Sequence, residues 1–183
     1  GGPQALKYLV PRFPGDFPIP IAVVMHMPAG YTELYAKRLK ELSSLDVHEA
    51  HEGTILKKGS VLIAPAGRHL TFQRSGSAVA AHLDAGPFDT LHPPWVDVLF
   101  RSAAETFGRG VLGIVMTGMG EDGKEGSRWI KSQGGTVFAE AEESCVVFGM
   151  PRAVIEAGLA SRVVPLERML ESVSEIVYGE NSH

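Results

Sequence analysis

The sequence predicts a layered α/β domain with a mainly parallel sheet and a small antiparallel hairpin. Three observations point there. Short β-branched runs alternate with amphipathic helical patterns along the chain. Ionisable or glycine-rich loops follow directly after the apolar runs, as at the ligand edge of an open parallel sheet. The length of 183 residues, with 44% apolar and 21% charged content, suits one compact domain over residues 1–183.

In chain order, residues 19–25 form the first buried strand, and residues 32–42 form a helix with Leu34, Tyr35, Leu39 and Leu42 able to share one face. Residues 47–50 read as a short strand and residues 61–64 as a second buried one. Residues 71–74 and 79–82 pair as a hairpin through Ser75, Gly76 and Ser77, an antiparallel excursion on a parallel sheet. A helix over 96–107, a strand over 111–117, a helix over 124–133, a strand over 136–139 and a helix over 166–177 complete the series. The tail 179–183 is expected to fray. Neither an internal repeat nor a linker interrupts the pattern.

Charge and composition exclude several classes of function. The net charge of -4 carries no basic run, so a phosphate-backbone partner is not expected. Apolar stretches all fall short of the roughly 18 residues that span a bilayer, so direct membrane insertion is not expected and a cytoplasmic location is. Cys145 is the single cysteine, and its apolar neighbours Val146, Val147 and Phe148 favour a buried structural thiol. The cluster His48-Glu49-Ala50-His51 lacks the spacing that puts two imidazoles on one helix face, and no metal is expected.

Three loops after strands carry polar groups. They are Met25-His26-Met27-Pro28, Pro65-Ala66-Gly67-Arg68-His69 and Gly118-Met119-Gly120-Glu121-Asp122-Gly123. His26 is suited to general-base work at neutral pH, and Asp122 to fixing its tautomer. Competing readings remain open. Asp122 stands where the N-cap of the helix over 124–133 is expected, and capping alone justifies an aspartate there. His26 can equally be a satisfied loop histidine. His69 and His92 read as pocket or surface residues. Gly118, Gly120 and Gly123 also match a G-x-G-x-x-G dinucleotide fingerprint, with Glu140 ending the next strand at the expected distance. Against a nucleotide, Glu121 and Asp122 would set two carboxylates where a pyrophosphate must sit, at a cost on the order of several kcal/mol.

Five segments, in order, resemble the catalytic domain of the bacterial chemotaxis methylesterase family CheB. They are His26-Met27-Pro28-Ala29-Gly30-Tyr31-Thr32, Ile63-Ala64-Pro65, Val96-Asp97-Val98-Leu99-Phe100, Thr117-Gly118-Met119-Gly120-Glu121-Asp122-Gly123 and Cys145-Val146-Val147-Phe148-Gly149-Met150-Pro151-Arg152. The resemblance implies a doubly wound α/β domain, with helices on both faces of the sheet, that hydrolyses γ-glutamyl methyl esters on the cytoplasmic helices of methyl-accepting chemotaxis receptors and deamidates receptor glutamines, without a cofactor. By the same resemblance His26 is the general base, Asp122 orients it, and the backbone N–H of Met119 serves the oxyanion site. Family members usually carry an N-terminal receiver domain, of which this chain shows none.

The family's nucleophile is a serine in a Ser-Thr-Gly-Gly turn, and Gly1 and Gly2 match its glycines. The chain opens on Gly1-Gly2-Pro3 rather than methionine, so the serine and threonine are expected immediately upstream. Ser127, Ser144 and the other serines lie in no comparable setting. Smaller departures flank the site: Met25 stands where glutamine is frequent, Ala66 replaces a common glycine, and His92-Pro93-Pro94-Trp95 replaces H-[RK]-P-S. A non-catalytic binding domain and, less favoured, a dinucleotide-binding domain are the alternatives.

Overall fold

The structure is a computed structural model that describes residues 1–84 and 92–179. Its first helix, α1 (Gly2–Leu9), covers residues to which the sequence pattern assigned no element. Proline is tolerated in a first helical turn, and burial of Ala5, Leu6 and Leu9 on one face supplies the reason to coil. The chain then continues through β1 (Ile21–Val23), α2 (Thr32–Leu42), β2 (Asp46–Glu49), β3 (Ser60–Ile63), β4 (His69–Ser75), β5 (Ala78–Asp84), α3 (Val96–Phe107) and β6 (Leu112–Val115). After these come α4 (Lys124–Ser132), β7 (Thr136–Glu140), α5 (Met150–Glu156), β8 (Arg162–Val164) and α6 (Met169–Gly179).

Hydrogen bonding orders the parallel strands β1-β3-β2 in one sheet and β6-β7-β8 in another, with β4 and β5 as an antiparallel pair. Val23 stands opposite Ile63 and Val47 opposite Val61, while Ile114 faces Phe138 and Ala139 faces Val163. In the hairpin Ser75 pairs with Ala78, so the turn itself is Gly76-Ser77, tighter than expected. The strand expected over 19–25 shortens to three residues, and the helix expected from residue 166 begins with one tight turn before α6. Of the tail expected to fray, Gly179 ends α6 and the rest lies outside the described residues.

Alternating side chains place layers on both faces. On β7, Phe138 packs into a cluster with Leu9 of α1, Leu39 of α2 and Met169 of α6. Its neighbours Val137 and Ala139 face the other way, onto Val96 of α3, Ile130 of α4 and Val154 of α5. The first cluster also takes Val23, Val47, Val61 and Ile63 from the other parallel sheet, so one core spans both halves. Tyr35 of α2 donates its phenol to the Pro3 carbonyl and ties α1 to this layer. Among the described residues no helix is long and apolar enough to cross a membrane.

α3 and α4 approach each other closely at Gly126, where an added Cβ would lie 2.6 Å from Phe100 Cβ and 2.9 Å from Asp97 Cα. Gly126→Ala therefore sets a helix-propensity gain of about 1 kcal/mol against an overpacking cost of about 1–3 kcal/mol. The backbone contact cannot yield by rotamer change, so the clash wins. The variant is expected to lose stability in urea unfolding, and a midpoint equal to or above wild type would contradict this contact.

Candidate active site

Two loops meet at the carboxyl ends of the parallel strands. The one after β1 carries His26, and the one after β6 carries Met119 and Asp122. Although 96 residues apart, His26 and Asp122 come within 2.9 Å, Nε2 to Oδ2. Their side chains are 43% and 17% exposed, which leaves the imidazole open to solvent while its partner is largely covered. An ionised carboxylate only accepts, so Nε2–H is the donor and Nδ1 becomes the basic nitrogen. Among the described residues Nδ1 makes no hydrogen bond.

The other partners of Asp122 correct the capping expectation. Gly123, not Asp122, is the N-cap of α4, with φ of 107°, a left-handed conformation that glycine adopts without steric cost. The Asp122 carboxylate instead turns to α3, accepting Val96 N–H at 2.8 Å on Oδ2 and Asp97 N–H at 2.9 Å on Oδ1. Asp97 returns the arrangement. Its Oδ1 accepts Gly123 N–H at 2.9 Å and Gly126 N–H at 2.7 Å at the start of α4. Each aspartate therefore satisfies orphan amides of the other's helix. Sequence alone assigns Asp97 no role, only a place in one family segment and in the first turn of α3.

These contacts set the charges. Burial pushes the Asp122 carboxyl up, but hydrogen bonds from His26, Asp97 N–H and Val96 N–H outweigh it and hold the pKa below the ordinary aspartate value. The hydrogen bond to Asp122 raises His26 above the usual 6.5, against partial burial, and the carboxylate's charge adds to the rise. Burial pushes Asp97 upward, opposed by the Gly126 amide and aided by the charge of Asp122.

The loop after β6 is fastened to the segment 144–150. Gly118 N–H donates to the Val147 carbonyl at 3.0 Å, and the Gly118 carbonyl accepts from Gly149 and Met150 N–H at 3.1 and 2.9 Å. Met119 is 81% exposed, and its own N–H makes no hydrogen bond among the described residues. At the other end of the chain, Gly1 abuts this loop: a Cβ there would lie 3.2 Å from Thr117 Oγ1.

The dinucleotide alternative does not fit this geometry. Asp97 already occupies the α4 amides that a pyrophosphate would need. Glu140, which the fingerprint requires at a ribose, is fully buried and bonded to Thr117 and Ser144. His69 is likewise no pocket or surface residue. It is buried, its Nδ1 accepts Trp95 N–H at 3.3 Å, and burial lowers its pKa. His92 is exposed. The Cys145 thiol is half-buried and pushed up to about 12, first by burial and then by Glu140. His48 approaches Asp46 at 3.8 Å, while His51 is exposed beyond the end of β2.

Comparison with known proteins gives these features a family. A model of the CheB methylesterase domain matches residues 1–173. A protein-glutamate methylesterase/protein-glutamine glutaminase of Myxococcus xanthus is 53% identical over 170 residues, covering 93% of this chain and 49% of that protein. A Desulfitobacterium hafniense protein of the same description is 48% identical, covering 97% and 45%. The chain thus spans about half the length of the curated relatives it matches. The crystal structure of the Thermotoga maritima CheB methylesterase catalytic domain superposes with a TM-score of 0.93 at 42% identity, covering 96% of this chain and 93% of that one. By sequence over nearly its whole length and by fold, the chain belongs to the CheB methylesterase family.

Proposed function

We propose that this domain hydrolyses γ-glutamyl methyl esters on the cytoplasmic helices of methyl-accepting chemotaxis receptors and deamidates receptor glutamines by the same route. The observation that carries the reading is the His26–Asp122 pair at 2.9 Å, its carboxylate fixed by two backbone amides. The nucleophile in this reading is a serine just before Gly1, two residues upstream of it in a Ser-Thr-Gly-Gly turn. The proximity of Gly1 to Thr117, at the root of the loop that bears Asp122, supports that assignment.

The reaction is an acyl transfer in two halves. The serine oxygen attacks the ester carbonyl while His26 Nδ1 takes its proton. The tetrahedral oxyanion accepts the Met119 N–H. Collapse expels methanol, which receives the proton from His26, and leaves a glutamyl-serine ester. Water then attacks that ester, giving its proton to the same nitrogen, and the receptor glutamate departs as the serine recovers its proton. For a glutamine the first leaving group is ammonia. No cofactor enters either half. A cytoplasmic location and an N-terminal receiver domain in the full-length protein belong to the same reading.

Methanol release from a methylated receptor cytoplasmic fragment tests it, using protein that extends upstream of Gly1. Release is expected from wild type and is expected to vanish in His26→Ala. Absence of release from well-folded wild type would favour a non-catalytic binding domain.

The pH dependence has a definite sign. The base must be neutral, so kcat/KM rises as pH climbs through the His26 pKa, which Asp122 lifts above 6.5. Asp122→Asn weakens the hydrogen bond that raises it and removes the charge that adds to the rise, so the acid limb is expected to move to lower pH. The plateau is expected to fall by on the order of 10⁴-fold. A limb that stays in place would dissociate the pair.

Because Asp97 holds the start of α4, Asp97→Ala is expected to cost about 1–3 kcal/mol in urea unfolding. Stability equal to wild type would show that the reciprocal caps are dispensable.

A further inference from the structure

Glu140 ends β7 with no exposed surface, so it cannot reach a ribose, and it makes no hydrogen bond to His26 or Asp122. Burying a carboxyl group in a core otherwise built of Val137, Phe138 and Ala139 is costly unless its oxygens find partners. Both do. Oε1 accepts the Thr117 N–H at 2.9 Å, and Oε2 accepts the Ser144 hydroxyl at 2.8 Å. Ser144 in turn accepts Leu166 N–H at 2.9 Å.

The two partners belong to the loop after β6 and to the segment 144–150 that is fastened to it. Thr117 is the last residue before Gly118 and Met119, and its hydroxyl both donates to the Val147 carbonyl at 3.1 Å and accepts Val147 N–H at 2.9 Å. Ser144 begins the strap that reaches Val147 and Gly149. In a continuing parallel ladder, a carbonyl of the neighbouring strand would take the Thr117 amide. Here a side chain takes it, the ladder with β7 stops, and Gly118 bridges in parallel to Phe148 of the strap instead.

We propose that Glu140 is a positioning residue for the oxyanion loop: by binding Thr117 and Ser144 together it fixes where the Met119 N–H points. The assignment rests on the hydrolytic reading for its kinetic consequence, but the ordering of the loop can be measured without substrate. Glu140 itself touches neither substrate nor the reacting atoms.

The test compares Glu140→Gln, which keeps an oxygen acceptor of the same reach, with Glu140→Met, which keeps the length and removes the acceptor. Methanol release by the full-length protein is expected to show kcat lowered about tenfold or more in Glu140→Met, since misplacement near 1 Å costs on the order of 10²-fold. KM and the acid limb of the pH profile are expected to stay at wild-type values, because the His26–Asp122 pair is untouched. Glu140→Gln is expected to recover kcat to within about threefold. Unchanged kcat in a folded Glu140→Met, a loss confined to KM, or a Glu140→Gln as slow as Glu140→Met overturns the proposal.

Should Glu140→Met fail to fold, Ser144→Ala removes one arm only. It is expected to lower kcat severalfold at constant KM, and an unchanged kcat counts against the role. Amide hydrogen exchange separates this failure from that of the hydrolytic reading. Exchange at Thr117 and Gly118 is expected to accelerate in the methionine variant or, if that does not fold, in Ser144→Ala, while the amides of Val96 and Asp97 hold. Unaltered exchange at Thr117 and Gly118 overturns the positioning role whatever the substrate, whereas a His26→Ala protein that still releases methanol overturns the reading of the site.

Discussion

Asp97 and Asp122 each accept the orphan amides at the start of the other's helix, and the geometry of the site follows from that exchange. A helix start leaves N–H groups without intrahelical partners, and two starts brought together double the deficit. One carboxylate per helix meets it, and only if α3 and α4 lie close enough for both reaches. The absence of a side chain at Gly126 permits that approach. Once the exchange is made, the Asp122 carboxylate cannot swing, and His26 inherits its orientation from the start of α3.

The same exchange divides the charges. Two carboxyl groups at close range disfavour each other's ionisation, and the structure resolves the conflict unequally. Asp122, with a histidine and two amides, keeps its proton off below the ordinary range, while burial moves Asp97 the other way. The carboxyl group with the lowered pKa is thus the one beside the imidazole. A second anchor lies on the far side of the loop, where Glu140 gathers Thr117 and Ser144. The loop bearing Met119 is thus gripped at its root by one buried acid and at its end by two.

Long elements were legible in the sequence because periodicity needs length. α2 and α3 have the predicted bounds, and α4 ends one residue early. The three-residue β8 and seven-residue α5 are too short to show a period, and α1 was hidden behind glycines and a proline that suggested a turn. The pairing of a histidine after the first strand with an aspartate after a glycine-rich loop was readable from loop position and family motif. Which helix Asp122 caps was not, because its amide partners lie about 25 residues earlier in the chain and local pattern pointed to α4. Glu140 entered only through the dinucleotide alternative, for a related reason. Its spacing fits a ribose contact, and only burial reveals that it faces inward.

The double duty of Asp122 makes the two members of the pair unequal under mutation and drift. His26 is partly exposed, and among the described residues the only side chain it hydrogen-bonds is Asp122, so under the proposed mechanism its loss would silence hydrolysis and leave the helices seated. Loss of Asp122 would remove the imidazole's partner and the acceptor of the α3 amides together. A lineage released from selection for hydrolysis would therefore shed the histidine first, and the aspartate would persist in inactive descendants as a structural relic. In this fold an Asp122 equivalent without its histidine is the expected mark of a retired enzyme, whereas the histidine alone would be found rarely.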